Sequence, residues 1–298
     1  SFSAMATALQ LVYIAGYGRS GSTLLDLLLG NHPRIFGAGE LNRLFSSLIA
    51  DEACACGALV RECPFWCSVL KDVFQELPDV DVERAARITK NAESITRLSR
   101  DVGAYVTLWQ TTMQAIANAS NCGLVVDSSK SSRLAHHRLA LMHSRMGLPT
   151  KVIHLVRDPR AVIWSRIRGN DQRLEKGDAT PKPGGAVRTL ASWAYANVAA
   201  ESNRQSEFKR LRYEDLMQTP LAALNGLSDF LGIDTLELSQ MMDPGASLSP
   251  GHGIGGNRMR RSGPVVVRFD DQWRDRLPRR SRAMAMLVHP LLVRYGYG

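Results

Sequence analysis

A glycine-rich loop between two apolar runs constrains the fold of this chain more than any other feature. Residues 9–15 form an apolar run typical of a buried strand, and residues 24–29 are leucine-rich, as expected of a helix. The loop between them has the spacing of a Walker A motif from Gly16 to Gly21, but Ser22 stands where that motif has lysine. A strand, loop and helix in this order point backbone N–H groups at an anion. The sequence therefore predicts an anion site here.

Three further apolar runs predict strands: residues 123–127, 151–156 and 208–213. Because helical patterns alternate with these strands, we predict an α/β fold with a central parallel sheet flanked by helices. Ligands of such sheets bind at the carboxyl ends of the strands. We predict a single domain over residues 1–298, in which residues 1–8 are a tail or an expression scar.

Helical patterns lie between the strands. Residues 41–122 are predicted to form a helical insertion. Within it, apolar residues recur every three or four positions from Ala85 to Ile116, which predicts one long helix or two, with a break near Gly103. Further on, Pro220 is placed to begin a helix and Gly232 to end it.

A second candidate anion site follows the run at residues 151–156. Arg157 would lie at the carboxyl end of that strand, Pro159 would open the next helix, and Ser165 would lie about two turns along it. The alternative for Arg157 is a local ion pair with Asp158. Two anion sites on one sheet edge indicate a ligand that carries phosphate at both ends.

The charge balance agrees with an anionic ligand. Lys and Arg number 37 against 28 Asp and Glu, a net charge of +9, and seven Lys leave thirty Arg. Arginine binds phosphate and sulfate in bidentate fashion, so an excess of arginine favours an anionic ligand. The alternative is that most of these arginines lie on a solvated surface. Residues 257–298 hold ten Arg and three Asp. That tail supports an alternative, a basic nucleic-acid-binding protein, but no nucleic-acid-binding motif accompanies it.

Taken together, these motifs resemble sulfotransferases that use 3'-phosphoadenosine 5'-phosphosulfate (PAPS). Residues 18–23 and the leucines after them resemble the 5'-phosphosulfate loop of that superfamily, and Arg157 with Ser165 resembles its 3'-phosphate site. Weaker similarities occur at residues 193–197, 212–216, 255–260 and 271–273. The resemblance implies the P-loop-like nucleotide-binding fold of sulfotransferases, closer to the carbohydrate and tyrosyl-protein type than to the cytosolic small-molecule type.

The resemblance also implies which residues hold the nucleotide. The glycine loop would enclose the 5'-phosphate and the sulfuryl group with Gly18, Arg19, Ser20, Gly21, Ser22 and Thr23. Arg157 and Ser165 would hold the 3'-phosphate, and Tyr213 would contact the nucleotide from a strand end. Asn257 and Arg260 would belong to a late loop that closes over it.

The catalytic residues are also implied by resemblance. Cytosolic enzymes have Lys-x-His after the third strand, whereas this chain keeps Lys130 and has Ser132 in place of the histidine. Residues 31–40 instead resemble the segment that supplies a glutamate base in the carbohydrate and tyrosyl-protein enzymes. Glu40 is therefore the predicted general base, and Lys130 and Arg19 would stabilise the transferring group. A helix-start carboxylate is the alternative for Glu40. Two histidines are weaker candidates for the base: His32 and His252.

Four cysteines lie close together in the predicted insertion: Cys54, Cys56, Cys63 and Cys67. They allow a zinc site, although the spacing matches no familiar zinc motif. A local disulfide and reduced core residues are the other readings. No metal ion is included in the prediction.

The predicted reaction is transfer of a sulfuryl group from PAPS to a hydroxyl, or an amine, of a small-molecule, carbohydrate, lipid or peptide acceptor. The second product is 3'-phosphoadenosine 5'-phosphate (PAP). The alternative enzyme is a P-loop phosphotransferase that uses ATP and magnesium, with Asp127 as a metal ligand, but Ser22 in the lysine position argues against it. The helical insertion at residues 41–122 would form one side of the acceptor pocket. The sequence contains no apolar run of membrane-spanning length, so we expect no membrane span and a cytoplasmic protein. We also expect no nucleic-acid partner, because no nucleic-acid-binding motif is present.

Overall fold

The structure, a computed structural model, describes residues 9–95, 101–131, 135–168, 185–202, 207–234, 236–241, 246–256 and 271–298. Its centre is a five-stranded sheet in the order β2-β3-β1-β4-β5, and every pair of neighbouring strands is parallel. The strands are β1 Gln10–Gly16, β2 Ile35–Gly37, β3 Leu124–Asp127, β4 Thr150–Val156 and β5 Glu207–Arg212. The prediction of an α/β fold with a central parallel sheet is confirmed.

Helices connect and flank the strands. In the first half of the chain they are α1 Ser22–Gly30, α2 Leu44–Ile49, α3 Pro64–Glu76, α4 Val82–Glu93, α5 Val102–Ser120 and α6 Arg138–Ala140. After β4 they are α7 Pro159–Ile167, α8 Gly185–Ser202, α9 Tyr213–Gln218, α10 Pro220–Leu231, α11 Leu236–Gln240, α12 Trp273–Arg276, α13 Arg279–Met284 and α14 His289–Arg294. Within the described ranges, none of these helices has both the length and the apolar character needed to cross a membrane.

The predicted elements agree with this structure except in two places. Strand β2 was missed, because its three residues are too few to show a pattern. The amphipathic run from Ala85 forms two helices, α4 and α5, and the side chain of Asp101 caps α5, so the break precedes Gly103. Pro220 begins α10, and Gly232 ends it with φ of 71°. That residues 1–298 form a single domain stays a prediction.

Successive side chains of a strand point to opposite faces of the sheet, and the side chains of β1 are buried on both faces. Leu11 and Tyr13 pack against α3 and α5 in a cluster that includes Trp66 and Trp109. The intervening residues Val12 and Ile14 pack against leucines of α1 and α10. Helices therefore cover both faces of the sheet, and the predicted site residues lie at its carboxyl edge.

A network of buried charged residues lies next to the carboxyl end of β3. The guanidinium of Arg138 donates to Asp127 at the end of β3, with 2.6 Å from Nε to Oδ2, and also pairs with Glu93. Tyr105 donates a hydrogen bond of 2.7 Å to Glu93, and the guanidinium lies 4.0 Å from the ring centroid of Trp109. Burial raises the pKa of Glu93, while Arg138 acts to lower it. The two carboxylates thus depend on one arginine.

Replacing that arginine tests how far the fold depends on it. We expect Arg138→Ala to lower the free energy of unfolding by about 3–5 kcal/mol, because it leaves two buried carboxylates without their cation. Arg145→Ala is the control, since Arg145 is exposed on the helical turn that follows α6. Denaturant unfolding measures both variants. Equal stability of Arg138→Ala and the parent chain would show that the network contributes little.

Candidate functional site

All five strands end at one edge of the sheet, and a predicted site residue follows each of them. Parallel strands bring their carboxyl ends together, which is where ligands of open α/β sheets bind. The residues at or shortly after the ends of β1, β2, β3, β4 and β5 are, respectively, Gly18, Glu40, Lys130, Arg157 and Tyr213. The fold therefore gathers residues that lie almost 200 positions apart in the sequence.

The glycine loop has the backbone geometry of an anion cradle. Gly16, Arg19 and Gly21 have φ of 124°, 69° and 91°, so the loop turns sharply between β1 and α1. Gly21 is the N-cap of α1 and has no side chain to bond the first-turn N–H groups. The hydroxyl of Ser20 is buried and has no hydrogen-bond partner among the described residues. The loop thus presents a helix N-terminus and an unsatisfied hydroxyl side by side.

Tyr213 packs directly on this loop. A Cβ atom at Gly21 would lie 2.4 Å from Cδ2 of the Tyr213 ring, so only glycine fits. On the same ring lies Arg157, with its guanidinium carbon 4.3 Å from the ring centroid. Arg157 also donates a 3.1 Å hydrogen bond to the carbonyl oxygen of Arg19. The two predicted anion sites are therefore in direct contact through Arg157.

The backbone around Arg157 is fixed from two sides. Trp193 donates a 3.0 Å hydrogen bond to the carbonyl oxygen of Arg157. The neighbouring Asp158 caps α7, and its carboxylate pairs with the guanidinium of Arg160 at 2.7 Å. Ser165 is a half-buried residue of α7. Its role at the 3'-phosphate stays a prediction.

Glu40 lies between two cations. Its carboxylate pairs with the ammonium of Lys130, and the guanidinium of Arg43 lies 3.8 Å away. The Glu40 and Lys130 side chains are only 17% and 16% exposed. The backbone N–H of Glu40 donates to the carbonyl oxygen of Ile254 at 2.8 Å. Glu40 is the N-cap of a short 3-10 turn, but its side chain makes no capping hydrogen bond, so capping does not explain the position of this carboxylate.

Lys130 is held against the start of the glycine loop. Its φ of 69° lies in the left-handed region, which non-glycine residues seldom adopt. Tyr13 donates a 2.6 Å hydrogen bond to the carbonyl oxygen of Lys130, and burial raises the pKa of this tyrosine, which keeps its hydroxyl protonated. The next residue, Ser131, donates its N–H to the carbonyl oxygen of Gly16 at 3.1 Å. This unusual conformation directs the lysine toward Glu40.

A cavity of about 1150 Å³ opens beside these residues. Gly16, Gly18, Glu40 and Lys130 line one wall, and residues of α2, α4 and α8 line the others. The cavity thus joins the glycine loop and the Glu40–Lys130 pair to the predicted helical insertion.

Some residues at this cavity were not predicted as site residues. Arg43 and Arg166 add positive charge to its lining. Arg43 follows Glu40 by three positions, a spacing that could have identified it as a partner. Tyr195 also lines the cavity, and its hydroxyl lies 2.6 Å from Nδ1 of His136. Tyr195 belongs to the stretch at residues 193–197, which resembles the sulfotransferases only weakly. The sequence alone therefore did not single out this tyrosine.

Three alternative assignments find a different explanation in the structure. Asp127 is fully buried and binds Arg138 and Ser129, so its carboxylate serves the charge network and is not placed as a magnesium ligand. His32 is buried, and its Nδ1 accepts a hydrogen bond from the N–H of Arg34 at 3.1 Å. His252 lies 3.2 Å from the sulfur of Cys63, in the cysteine cluster. Asn257 and Arg260 lie outside the described residues.

Comparison with known proteins gives one family. A model of the Sulfotransferase family matches residues 12–237. Carbohydrate sulfotransferase 4 of Mus musculus is 30% identical in an alignment of 142 residues that covers 43% of this chain and 36% of that protein. The match therefore spans about a third of the length of that relative.

The comparison with solved structures gives matches of low similarity. The sulfotransferase domain from the curacin biosynthetic pathway is 21% identical, with a TM-score of 0.49 over 94% of this chain and 98% of that one. A sulfotransferase from Alicyclobacillus acidocaldarius is 14% identical, with a TM-score of 0.42 over 98% of this chain and 97% of that one.

The fit of Tyr213 on Gly21 can be tested by a pair of glycine substitutions. We expect Gly21→Ala to lower the free energy of unfolding by at least about 1 kcal/mol, because alanine is strained at this φ and its Cβ would collide with the ring. Gly18→Ala is the matched variant, since nothing lies within 4 Å of a Cβ there. Chemical denaturation of both chains gives the comparison. Equal stabilities would contradict the packing of Tyr213 on the loop.

Proposed function

Because the chain belongs to the sulfotransferase family, we propose that it transfers a sulfuryl group from PAPS to a hydroxyl, or an amine, of an acceptor and releases PAP. The observation that carries this proposal is the position of the Glu40–Lys130 pair. It shares one cavity with the glycine loop, where a carboxylate can take a proton beside a bound anion. A base, a cation and an anion loop at one cavity are the parts that sulfuryl transfer needs.

The residues at the sheet edge fit the two ends of PAPS. The helix N-terminus and the buried Ser20 hydroxyl suit the 5'-phosphosulfate, together with the rest of the loop from Gly18 to Thr23. Arg157, stacked on Tyr213 beside the loop, suits the 3'-phosphate. Three further residues complete the proposed nucleotide site: Ser165, Asn257 and Arg260.

The reaction itself needs positioning, a base and charge stabilisation. An acceptor oxygen forms a bond to sulfur while the bond from sulfur to the phosphate oxygen breaks, and that oxygen leaves with the electron pair. Glu40 takes the acceptor proton, and Lys130 and Arg19 stabilise the negative charge on the transferring group and the leaving phosphate. As in phosphoryl transfer, orientation and electrostatics supply most of the rate.

The cavity also bears on the acceptor. Its volume of about 1150 Å³ exceeds the roughly 300–1,000 Å³ of a typical small-molecule pocket, so it has room for the sulfuryl end of PAPS and an acceptor group. The name of the mouse relative makes a carbohydrate the first acceptor class to test. Small-molecule, lipid and peptide acceptors form the rest of a panel, with labelled PAPS as the donor. The cytoplasmic location stays a prediction.

The competing functions receive less support. A magnesium-dependent phosphotransferase would need the P-loop lysine, and this chain has Ser22 in that position. The metal ligand it would use, Asp127, is buried in the charge network. A nucleic-acid-binding function relies on a basic tail of which residues 257–270 lie outside the described ranges. The absence of a nucleic-acid partner stays a prediction.

Substitution of Glu40 separates catalysis from binding. We expect Glu40→Gln to lower the turnover number by about 10²–10⁴-fold, because the amide cannot accept the proton. PAP affinity should stay close to that of the parent chain. Sulfate transfer from labelled PAPS and calorimetry with PAP measure the two effects. Glu76→Gln, an exposed glutamate at the end of α3, is the control. Full turnover in Glu40→Gln would remove this residue from the mechanism.

Substitution of Arg157 tests the 3'-phosphate site. We expect Arg157→Ala to weaken PAP binding by about 10–150-fold, the loss of a hydrogen bond to a charged group. It should have far less effect on AMP, which lacks the 3'-phosphate. Calorimetric titrations of both nucleotides give the ratio, with Arg145→Ala as the control. If the variant still prefers PAP over AMP as strongly as the parent chain, Arg157 does not bind that phosphate.

A further inference from the structure

Three cysteines and one histidine, none of which lines the cavity, converge from two distant parts of the chain. Cys54 and Cys56 lie on a tight turn, Cys63 is the N-cap of α3, and His252 belongs to the segment at residues 246–256. Their three sulfur atoms and one imidazole nitrogen all lie within 4.8 Å of one another. Side chains of this kind are the preferred ligands of zinc.

The ligand atoms of this cluster are close enough for one metal ion, and one sulfur–sulfur distance is near that of a tetrahedral zinc site. The sulfurs of Cys56 and Cys63 are 3.7 Å apart, and the sulfur of Cys63 is 3.2 Å from Nδ1 of His252. Two sulfurs that each lie about 2.3 Å from a tetrahedral zinc ion are about 3.8 Å apart. A disulfide would need about 2.0 Å between sulfurs, and all five cysteines are free thiols.

The fold selects these four residues and excludes Cys67. Cys67 lies one helical turn beyond Cys63, is exposed, and its thiol donates to the carbonyl oxygen of Arg61 at 3.1 Å. The fourth ligand instead comes from His252. Its carbonyl oxygen accepts a hydrogen bond of 2.6 Å from the indole of Trp66, and its ring stacks on Phe65 with 5.3 Å between centroids. The imidazole is therefore positioned by neighbours that are not part of the cluster.

We propose that Cys54, Cys56, Cys63 and His252 bind one zinc ion in a closed structural site. Three thiolates and an imidazole fill a tetrahedral shell, which leaves no position for a reacting water. The turn that carries Cys54 and Cys56 is closed by a backbone hydrogen bond and contains a glycine in the left-handed region. Cys54 donates its N–H to the carbonyl oxygen of Ala58 at 2.8 Å, and Gly57 takes a φ of 96°.

This zinc ion joins the helical insertion to the segment beside Glu40. His252 is two residues from Ile254, which forms a parallel bridge with Gly39. The carbonyl oxygen of Ile254 accepts the N–H of Glu40 at 2.8 Å. A metal held at His252 therefore steadies the backbone that carries the proposed base. This last step rests on the proposed function, whereas metal binding itself does not.

Metal content of the purified full chain tests the site without any assay of activity. We expect about one zinc ion per chain by elemental mass spectrometry. Cys54→Ser and Cys63→Ser should lose it, and their melting temperature should fall by several degrees because a ligand of the folded state is lost. Cys67→Ser and Cys122→Ser are matched controls and should keep both the zinc and the melting temperature.

His252 decides between this site and a cysteine-only cluster. His252→Ala should weaken zinc affinity at least tenfold, since even an outer partner of a metal ligand contributes about that much. His252→Cys should retain one zinc per chain, as a four-thiolate site. Cobalt added to the metal-free chain should give the visible bands of tetrahedral thiolate coordination, which report the site even if a serine variant fails to fold.

Three results would overturn the proposal. The first is that the full chain, supplied with zinc or cobalt, binds neither metal. The second is that intact-mass analysis finds a disulfide among Cys54, Cys56 and Cys63, and the third is that Cys67→Ser loses zinc as completely as Cys63→Ser. Each result leaves the proposed sulfuryl transfer untouched, because PAP binding and sulfate transfer are measured separately.

Discussion

The hydrogen bonds at the carboxyl end of β3 hold the glycine loop and the Glu40 segment in one place. Ser128 donates its N–H to the carbonyl oxygen of Gly39 at 2.7 Å, and Ser131 donates to that of Gly16 at 3.1 Å. Both bonds start from a segment that begins at Asp127, whose carboxylate is tied to the buried Arg138. The charge network in the core therefore supports the segment that holds the proposed base and the glycine loop next to each other. Because these groups are buried, the network can hold one arrangement against solvent competition.

The excess of arginine serves several purposes in this molecule. Arg157 and Arg43 lie at the site, where they contact the glycine loop and Glu40. Others stabilise the fold: Arg138 pairs with two buried carboxylates, Arg160 with the N-cap of α7, and Arg210 with Glu201. A net charge of +9 still favours the approach of an anionic ligand over longer range. Composition thus predicts an anionic ligand, but the structure is needed to separate arginines at the candidate site from those that stabilise the fold.

Local pattern predicted the parts of the fold that local forces determine. The apolar runs of β1, β3 and β4 and the glycine loop were recognisable because each is decided by neighbours in the sequence. Strand β2 was missed, since its three residues pair only through the sheet. The contact of Tyr213 with Gly21 and the position of His252 among the cysteines were also beyond the sequence. His252 lies 189 residues after Cys63, and the contacts that bring its segment alongside the insertion form only in the folded chain, among them the hydrogen bond from Trp66 to the carbonyl oxygen of His252.

Nucleotide preference separates sulfuryl transfer from its alternatives most directly, because the glycine loop has Ser22 in place of the lysine that binds a triphosphate, and Arg157 is proposed to bind a second phosphate. The decisive measurement is calorimetric titration of the full chain with PAP in the absence of magnesium, beside ATP with magnesium. We expect PAP to bind tightly without the metal and ATP to bind at least tenfold more weakly, a difference of about 1.4 kcal/mol. Tighter binding of ATP with magnesium, or no binding of PAP, would contradict transfer from PAPS.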